Sequence, residues 1–355
     1  MTTVAEFTIE STRFLDPDGK TVGDLPAFAG DEDELIALYR AMVLTRTFDA
    51  KAIALQRTGR LGTYASSLGQ EAVPVGLAAA MRADDVLVPS FREHGAQLWR
   101  GVTLEELFLY WGGDERGNDF KGPRQDFPNC VPVGTHAPHA VGVALAMKLR
   151  GEPRATVCVF GDGATSKGDV LEALNMAGVW KAPAVFVINN NGWAISVPRA
   201  RQSAAETLAQ KAIGAGIAGE QVDGNDVIAV RHATGRALER ARAGEGPTLI
   251  EAVTYRLSDH TTADDASRYR DDADVSRRWK EEPVARLRDH MATRGIWTKK
   301  QEEALLRECG DAVDKAADAW LATAPMAPDS MFAHTYAHLP ADLEAQRAAL
   351  GGGGE

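Results

Sequence analysis

The chain has 355 residues, 45% hydrophobic and 25% charged, a balance that excludes disordered and fibrous classes and supplies a core without disulfides or a structural metal. Its 39 basic and 50 acidic residues give a formal charge of −11, which repels a nucleic-acid backbone. It has neither an apolar run near the ~18 residues of a membrane helix nor a signal-peptide pattern, so no membrane and no secretion are expected. Cys130, Cys158 and Cys309 are scattered and form no CxxC, which fits a reducing, cytoplasmic setting.

Residues 1–30 mix short apolar pieces with Pro17, Gly19, Gly23 and Pro26 and read as an irregular arm with at most one strand, wrapping a neighbour. From Asp31 to about Gln56, Leu35, Leu38, Tyr39 and Met42 recur at helical spacing behind an acidic first turn, which predicts an amphipathic helix. GRLGTYASSLGQE (59–71) is rich in Gly and Ser between two helical patterns; it is either a functional loop or a plain connector. Runs at 86–91, 155–160, 184–188 and 248–254 are rich in Val, Ile and Phe and alternate with helical patterns. That alternation predicts an α/β fold with a doubly wound, mostly parallel sheet covered on both faces. Residues 258–280 carry many charges and few apolar side chains, the composition of a mobile surface loop. Helix is expected again from Pro283 to about Leu321. The organisation is therefore an arm (1–30), an α/β domain (31–283), a helical region (284–345) and a disordered tail (346–355).

The chemistry concentrates in residues 161–196. At a strand's carboxyl end, Gly161-Asp162-Gly163 lets the backbone approach a phosphate and aims Asp162 at the cation that accompanies it. Asn190-Asn191-Gly192 makes a second turn one strand later, so Asp162 and Asn191 are predicted neighbours that each offer a hard oxygen. With a backbone carbonyl, two diphosphate oxygens and a water they complete the octahedron of Mg²⁺. Alone, the Gly-Asp-Gly turn is equally an ordinary strand-to-helix connection. A dinucleotide fingerprint is disfavoured because Ser166 stands where its third glycine belongs.

A GDG turn followed about thirty residues later by a paired Asn resembles the diphosphate and magnesium motif of thiamine diphosphate enzymes. With TRTFD (45–49), GRLGTY (59–64), SFREHG (90–95), QVDGND (221–226), GEGPTLIE (244–251) and YRLSDHTTADDASRYR (255–270) in order, the chain resembles the alpha subunit of the E1 component of bacterial 2-oxo acid dehydrogenase complexes, pyruvate type. The resemblance implies the thiamine diphosphate-binding fold, with Asp162, Asn191 and the Trp193 carbonyl on magnesium. Gly161, Gly163, Ala164, Phe91 and Arg92 would lie around the diphosphate, and Val133 and Gly134 at the aminopyrimidine. His260 would be the catalytic histidine, with Asp264 and Arg270 tying its loop in place. Phe91 stands where many members have a tyrosine, which implies one hydroxyl contact fewer. His136 replaces an amide at an alkali-ion loop, and Asn189 replaces an arginine of some animal members. Tyr64, Leu68 and Val133 would meet the substrate.

The implied function is oxidative decarboxylation of pyruvate with acetylation of the lipoyl domain of an E2 acyltransferase. A beta subunit would supply the glutamate at the pyrimidine, in an α2β2 heterotetramer. Length agrees, since a self-sufficient enzyme of this kind needs two doubly wound domains of ~100–200 residues each and usually a third. The alternatives are the same reaction on branched-chain 2-oxo acids, or a non-catalytic scaffold subunit.

Overall fold

Along the central strands Val157, Val159, Val185, Val187 and Ile250 share one apolar cluster, and Cys158, Phe160, Phe186, Ile188 and Leu249 share another. A strand that is apolar at every position must be covered on both faces, and period-two alternation sorts its residues between them. In the computed structural model, which describes residues 1–351, that requirement is met by an all-parallel sheet. Among the described residues its strands are β1 (Ser11–Thr12), β2 (Val86–Val88), β3 (Thr156–Gly161), β4 (Ala184–Asn190), β5 (Ala218–Asp223) and β6 (Thr248–Val253), in spatial order β1-β5-β6-β4-β3-β2. Helices Ala137–Leu149 and Gly168–Trp180 pack on the Phe160 face, and helices Ala72–Ala80 and Val227–Arg242 on the Val159 face.

The predicted amphipathic helix runs from Glu32 to Arg57, capped by Asp31, whose carboxylate accepts from Asp33 N. Its inward residues join helices Pro283–Thr293 and Lys299–Leu321 in further apolar clusters. The helical stretch expected from Pro283 to Leu321 is thus two helices. Gly295, at φ +76°, turns the chain, and Thr298 with Gln301 forms a capping box that restarts it.

The structure refines the remaining expectations. From Ser11 on, the arm packs on its own domain: its Phe14 and Leu15 amides both donate to the Asp226 carboxylate at 2.7 Å. Leu15 and Ala29 are buried in the same cluster as Leu35 and Leu287. Strand β5 was not predicted, because AGEQVD buries only Val222 in the core; it forms by backbone pairing with β6. Residues 258–280 are not featureless, since they hold a 3-10 turn at Ala266–Arg268 and a helix at Asp272–Arg278 capped by Asp271. At the end, a helix covers Ala341–Gly351, where residues from 346 on were expected to be disordered; 352–355 lie outside the described residues. Among the described residues, no helix is long and apolar enough to cross a membrane.

Candidate cofactor site

Four neighbouring parallel strands end at one edge of the sheet, and each hands the chain to a polar segment. Strand β2 leads to Ser90–Glu93, β3 to Gly161-Asp162-Gly163, β4 to Asn191–Trp193 and β6 to Tyr255–His260. Segments from all four line a cavity of about 220 Å³ together with Gln70, Val133, Gly134 and His136. Such crevices at carboxyl ends of strands are where parallel α/β sheets bind ligands. Register fixes the meeting of the two turns. Gly161 pairs with Asn189, so Asp162 begins its turn beside Asn190 and Asn191. The continuation of β6 keeps pace, with Thr254 N and Arg256 N donating to the carbonyls of Asn190 and Asn191 at 2.9 and 3.2 Å.

One side of the cavity is anionic. Asp162 is 1% exposed, and its Oδ2 is buried without a hydrogen-bond partner among the described residues. Burial raises its pKa to about 6. An ionised carboxylate left in that state calls for a cation. Asn191 Oδ1 accepts only a 3.2 Å bond from Trp193 N, while its Nδ2 donates to Gln70 Oε1 at 2.9 Å. Among the described residues no group of three His, Cys, Asp or Glu side chains could hold a metal. One carboxylate plus neutral oxygens suits a hard divalent cation that brings further oxygens with its ligand. Gly163 permits the close packing here: a Cβ would sit 2.9 Å from Ala194 Cβ.

Cationic side chains stand close by. Arg92 is buried and donates from Nη1 to the Ser66 carbonyl at 2.6 Å. Its Nη2 reaches the His260 carbonyl at 2.6 Å and His260 Nδ1 at 2.9 Å. Arg256, fully buried, donates to the Ile195 carbonyl and the Tyr269 hydroxyl, both at 2.8 Å, and lies 3.5 Å from the Trp193 carbonyl. Among the described residues neither guanidinium is hydrogen-bonded to a carboxylate. Burial and repulsion from Arg256 bring Arg92 down to about 10. Burial and the two guanidiniums bring His260 down to about 4, so its imidazole is neutral and accepts from Arg92 at Nδ1. A buried guanidinium on the cavity wall with no carboxylate hydrogen-bonded to it, and a second one behind the wall, favour an anion in the cavity. The loop that presents His260 is tied down: its amide donates to Asp264 at 3.0 Å, Tyr269 binds the same carboxylate, and Arg270 donates to the carbonyls of Leu257 and Ser258 at 3.2 and 3.1 Å.

The Gly- and Ser-rich loop 59–71 supports both sides. Ser66 supplies the carbonyl under Arg92, the Leu68 carbonyl accepts from Leu257 N at 3.2 Å, and the Gly69 carbonyl accepts from Thr254 Oγ1 at 2.9 Å. Gly69 has φ +87°, and a Cβ there would lie 2.7 Å from both Leu257 Cγ and the Tyr255 carbonyl. Gly69→Ala is therefore expected to destabilise the chain by about 3 kcal/mol through left-handed strain and overpacking. Thermal unfolding checks this, and an unchanged melting temperature would contradict the fit.

Residues 39–327 match the family model described as "Dehydrogenase E1 component". The chain belongs to this E1 dehydrogenase family. It is 42% identical over 348 residues to the 3-methyl-2-oxobutanoate dehydrogenase subunit alpha of Mycobacterium tuberculosis, covering 96% of this chain and 94% of that one. It is 41% identical over 336 residues to the pyruvate dehydrogenase E1 component subunit alpha of Acholeplasma laidlawii, covering 93% and 96%. The like-named protein of Staphylococcus aureus is 43% identical over 300 residues, 84% of this chain and 80% of that one. E1 dehydrogenases depend on thiamine diphosphate, and this E1 chain is an enzyme of that kind.

In this E1 chain Phe91, Arg92, Val133, Gly134, Gly161, Asp162, Gly163, Ala164, Asn191, Trp193 and His260 all reach the cavity wall. Tyr64 and Leu68, expected at the substrate, are not among its lining residues. Tyr64 is fully buried, with its hydroxyl on Asp49 at 2.8 Å and its ring stacked on His94; its aromatic body is worth more in that core than at a polar cleft. His136 spends Nε2 on the Val159 carbonyl at 2.7 Å, and its Nδ1 is buried without a partner among the described residues. Sequence reasoning gave no role to Gln70, Glu93 or Arg256. Arg256 stands inside the quoted YRLSDH stretch, and a basic residue four before a candidate histidine was the available signal. Glu93, raised to about 7 by burial, accepts from Ser90 Oγ at 2.8 Å and Arg92 N at 3.3 Å.

Proposed function

We propose that this chain is the alpha subunit of an E1 component that decarboxylates pyruvate with thiamine diphosphate and Mg²⁺, together with a beta subunit, and passes the acetyl group to the lipoyl domain of an E2 acyltransferase. The observation that carries the reading is the pairing, in one cavity, of an orphaned carboxylate oxygen on Asp162 with the buried Arg92 guanidinium, which has no hydrogen-bonded carboxylate among the described residues. A magnesium diphosphate neutralises both at once. Asp162, Asn191 and the Trp193 carbonyl would hold the metal. Arg92, His260 and the Gly161–Ala164 turn would hold the diphosphate, and Val133 and Gly134 the aminopyrimidine. Thiamine diphosphate supplies the electron sink that decarboxylation at a 2-oxo carbon requires.

This chain's own residues orient and protect. With Nδ1 accepting from Arg92, neutral His260 carries its proton on Nε2, where it can serve the reacting centre as an acid. Phe91 offers an apolar wall without a hydroxyl. Val131, Val133 and Ile195 are 57%, 48% and 55% exposed, and Val133 and Ile195 rim the cavity. An apolar rim left open to water supports closure by a partner chain. A branched-chain substrate is a second reading, favoured by the identity to the mycobacterial relative. The test is the chain purified with its beta partner and assayed with a lipoyl acceptor. Pyruvate should exceed 2-oxoisovalerate in kcat/KM by roughly 10–200-fold, the range a methylene or two commands. Reversed preference overturns the substrate; full activity without a partner overturns the assembly; full activity of Asp162→Ala would favour a scaffold role.

Binding should also move protons. Burial and the two guanidiniums hold His260 near 4; an anion beside it offsets the guanidiniums and raises it toward its ordinary range, so cofactor binding at pH 5.5–6 takes up a proton there. Asp162 gives one up under the same conditions as a cation arrives. Calorimetry in buffers of different ionisation enthalpy should therefore show less proton uptake for His260→Asn than for the unaltered chain, with the difference fading by pH 8. Equal uptake would place His260 away from the anion.

A further inference from the structure

Gln70 closes the loop 59–71 just before helix Ala72–Ala80, and it is 1% exposed on the cavity wall. Its Oε1 accepts from Asn191 Nδ2 at 2.9 Å. On its other side, Asn191 Oδ1 accepts from Trp193 N. The two bonds agree on one amide orientation. Reversed, Asn191 would set its NH₂ against the Trp193 N–H, and donor would face donor. Gln70 Nε2 has no hydrogen-bond partner among the described residues, although two buried N–H donors cost free energy until an acceptor reaches them.

Resting on the cofactor reading above, we propose that Gln70 is a positioning residue of the cation site. It locks the Asn191 amide so that oxygen is presented as the ligand, and it offers its spare N–H donors to an anionic oxygen of the bound diphosphate. The residue itself is held rigidly enough for this. Its amide donates to the Ser67 carbonyl at 2.9 Å, the preceding Gly69 N donates to Glu71 Oε2 at 3.0 Å, and Glu71 is paired with Arg46 at 2.8 Å. An outer residue that orients a metal ligand is typically worth 10–100-fold in metal affinity. A glutamine suits the position better than a glutamate, because the acid would keep the acceptor for Asn191 but set a negative charge toward the diphosphate.

The test is calorimetric titration of the alpha–beta assembly with thiamine diphosphate at graded Mg²⁺, which reads binding and not turnover. Gln70→Leu should raise the Mg²⁺ needed for half-saturation about 10-fold or more. In an Asn191→Ala background the same change should add less than about 3-fold, since coupled residues are not additive. Gln70→Glu, nearly isosteric and so the safeguard against misfolding, should keep the Mg²⁺ requirement within about 3-fold while weakening cofactor binding about 10-fold through the lost donor. Values for both single variants within about twofold of the unaltered assembly, or full multiplicativity with Asn191→Ala, overturn the proposal. If the unaltered assembly binds no thiamine diphosphate with Mg²⁺, the cofactor reading fails and this inference falls with it; if it binds and the variants do not differ, only the inference falls.

Discussion

Asp162→Asn is expected to abolish Mg²⁺-dependent cofactor binding and, at the same time, to make the cofactor-free, metal-free chain more stable. The first effect follows from removing the one carboxylate among the candidate ligands; because outer residues alone are worth 10–100-fold, losing a ligand should cost more than about 100-fold. The second follows from burial. Asp162 is held at about 6 against an ordinary 3.8, so the folded chain resists ionising it. Near pH 3 and below, folded and unfolded chains both keep the proton and there is no penalty. Between about pH 4 and 6 the unfolded chain releases it first. Above pH 6 the penalty is complete, roughly 3 kcal/mol at ~1.4 kcal/mol per tenfold difference in proton affinity. The asparagine variant escapes this, so its melting temperature should exceed that of the unaltered chain by a few degrees at pH 7–8. The gain should shrink through pH 5 and vanish near pH 3. A variant that still binds the cofactor tightly, or one with no gain at pH 8, would contradict the assignment of an uncompensated site carboxylate.

Arg92→Lys keeps the charge and is expected to lose about 100-fold in affinity for thiamine diphosphate. The planar fork of Arg92 spans three acceptors on two segments, the Ser66 carbonyl, the His260 carbonyl and His260 Nδ1. A lysine directs its donors from one atom and cannot bridge the loop 59–71 to the His260 loop while facing a diphosphate. The loss should fall on the terminal phosphate, so the preference for thiamine diphosphate over thiamine monophosphate should narrow in parallel calorimetric titrations. A uniform loss with both ligands would indicate general loosening of the site; no loss would remove Arg92 from it.

Much of this arrangement could be read from the residues in order. Strands β2, β3, β4 and β6 announced themselves because each is dominated by apolar residues, and Asp162 and Asn191 because glycine and asparagine turns close two successive apolar runs. Local patterns of that kind depend on near neighbours in the chain and survive in sequence. Strand β5 did not, since AGEQVD is shaped by pairing with β6 and not by its own composition. The anchorage of the arm was hidden for the same reason: nothing in residues 1–30 reveals that Asp226, some two hundred residues later, receives the amides of Phe14 and Leu15. Tyr64 was expected at the substrate because it stands in the Gly- and Ser-rich loop, yet its side chain turns inward to Asp49.

Sequence by itself determined the order of elements and the chemical identity of the carboxylate, amide, guanidinium and imidazole that the site uses, because those are properties of residue types and of short-range periodicity. Only the folded chain shows that Arg92 and Arg256 lie buried with no hydrogen-bonded carboxylate among the described residues, that Asp162 Oδ2 lacks a partner among them, and that Gln70 accepts from the Asn191 amide. Each of those is a statement about desolvation and about contacts between distant segments, and both arise only when separate strand ends are brought to a common edge.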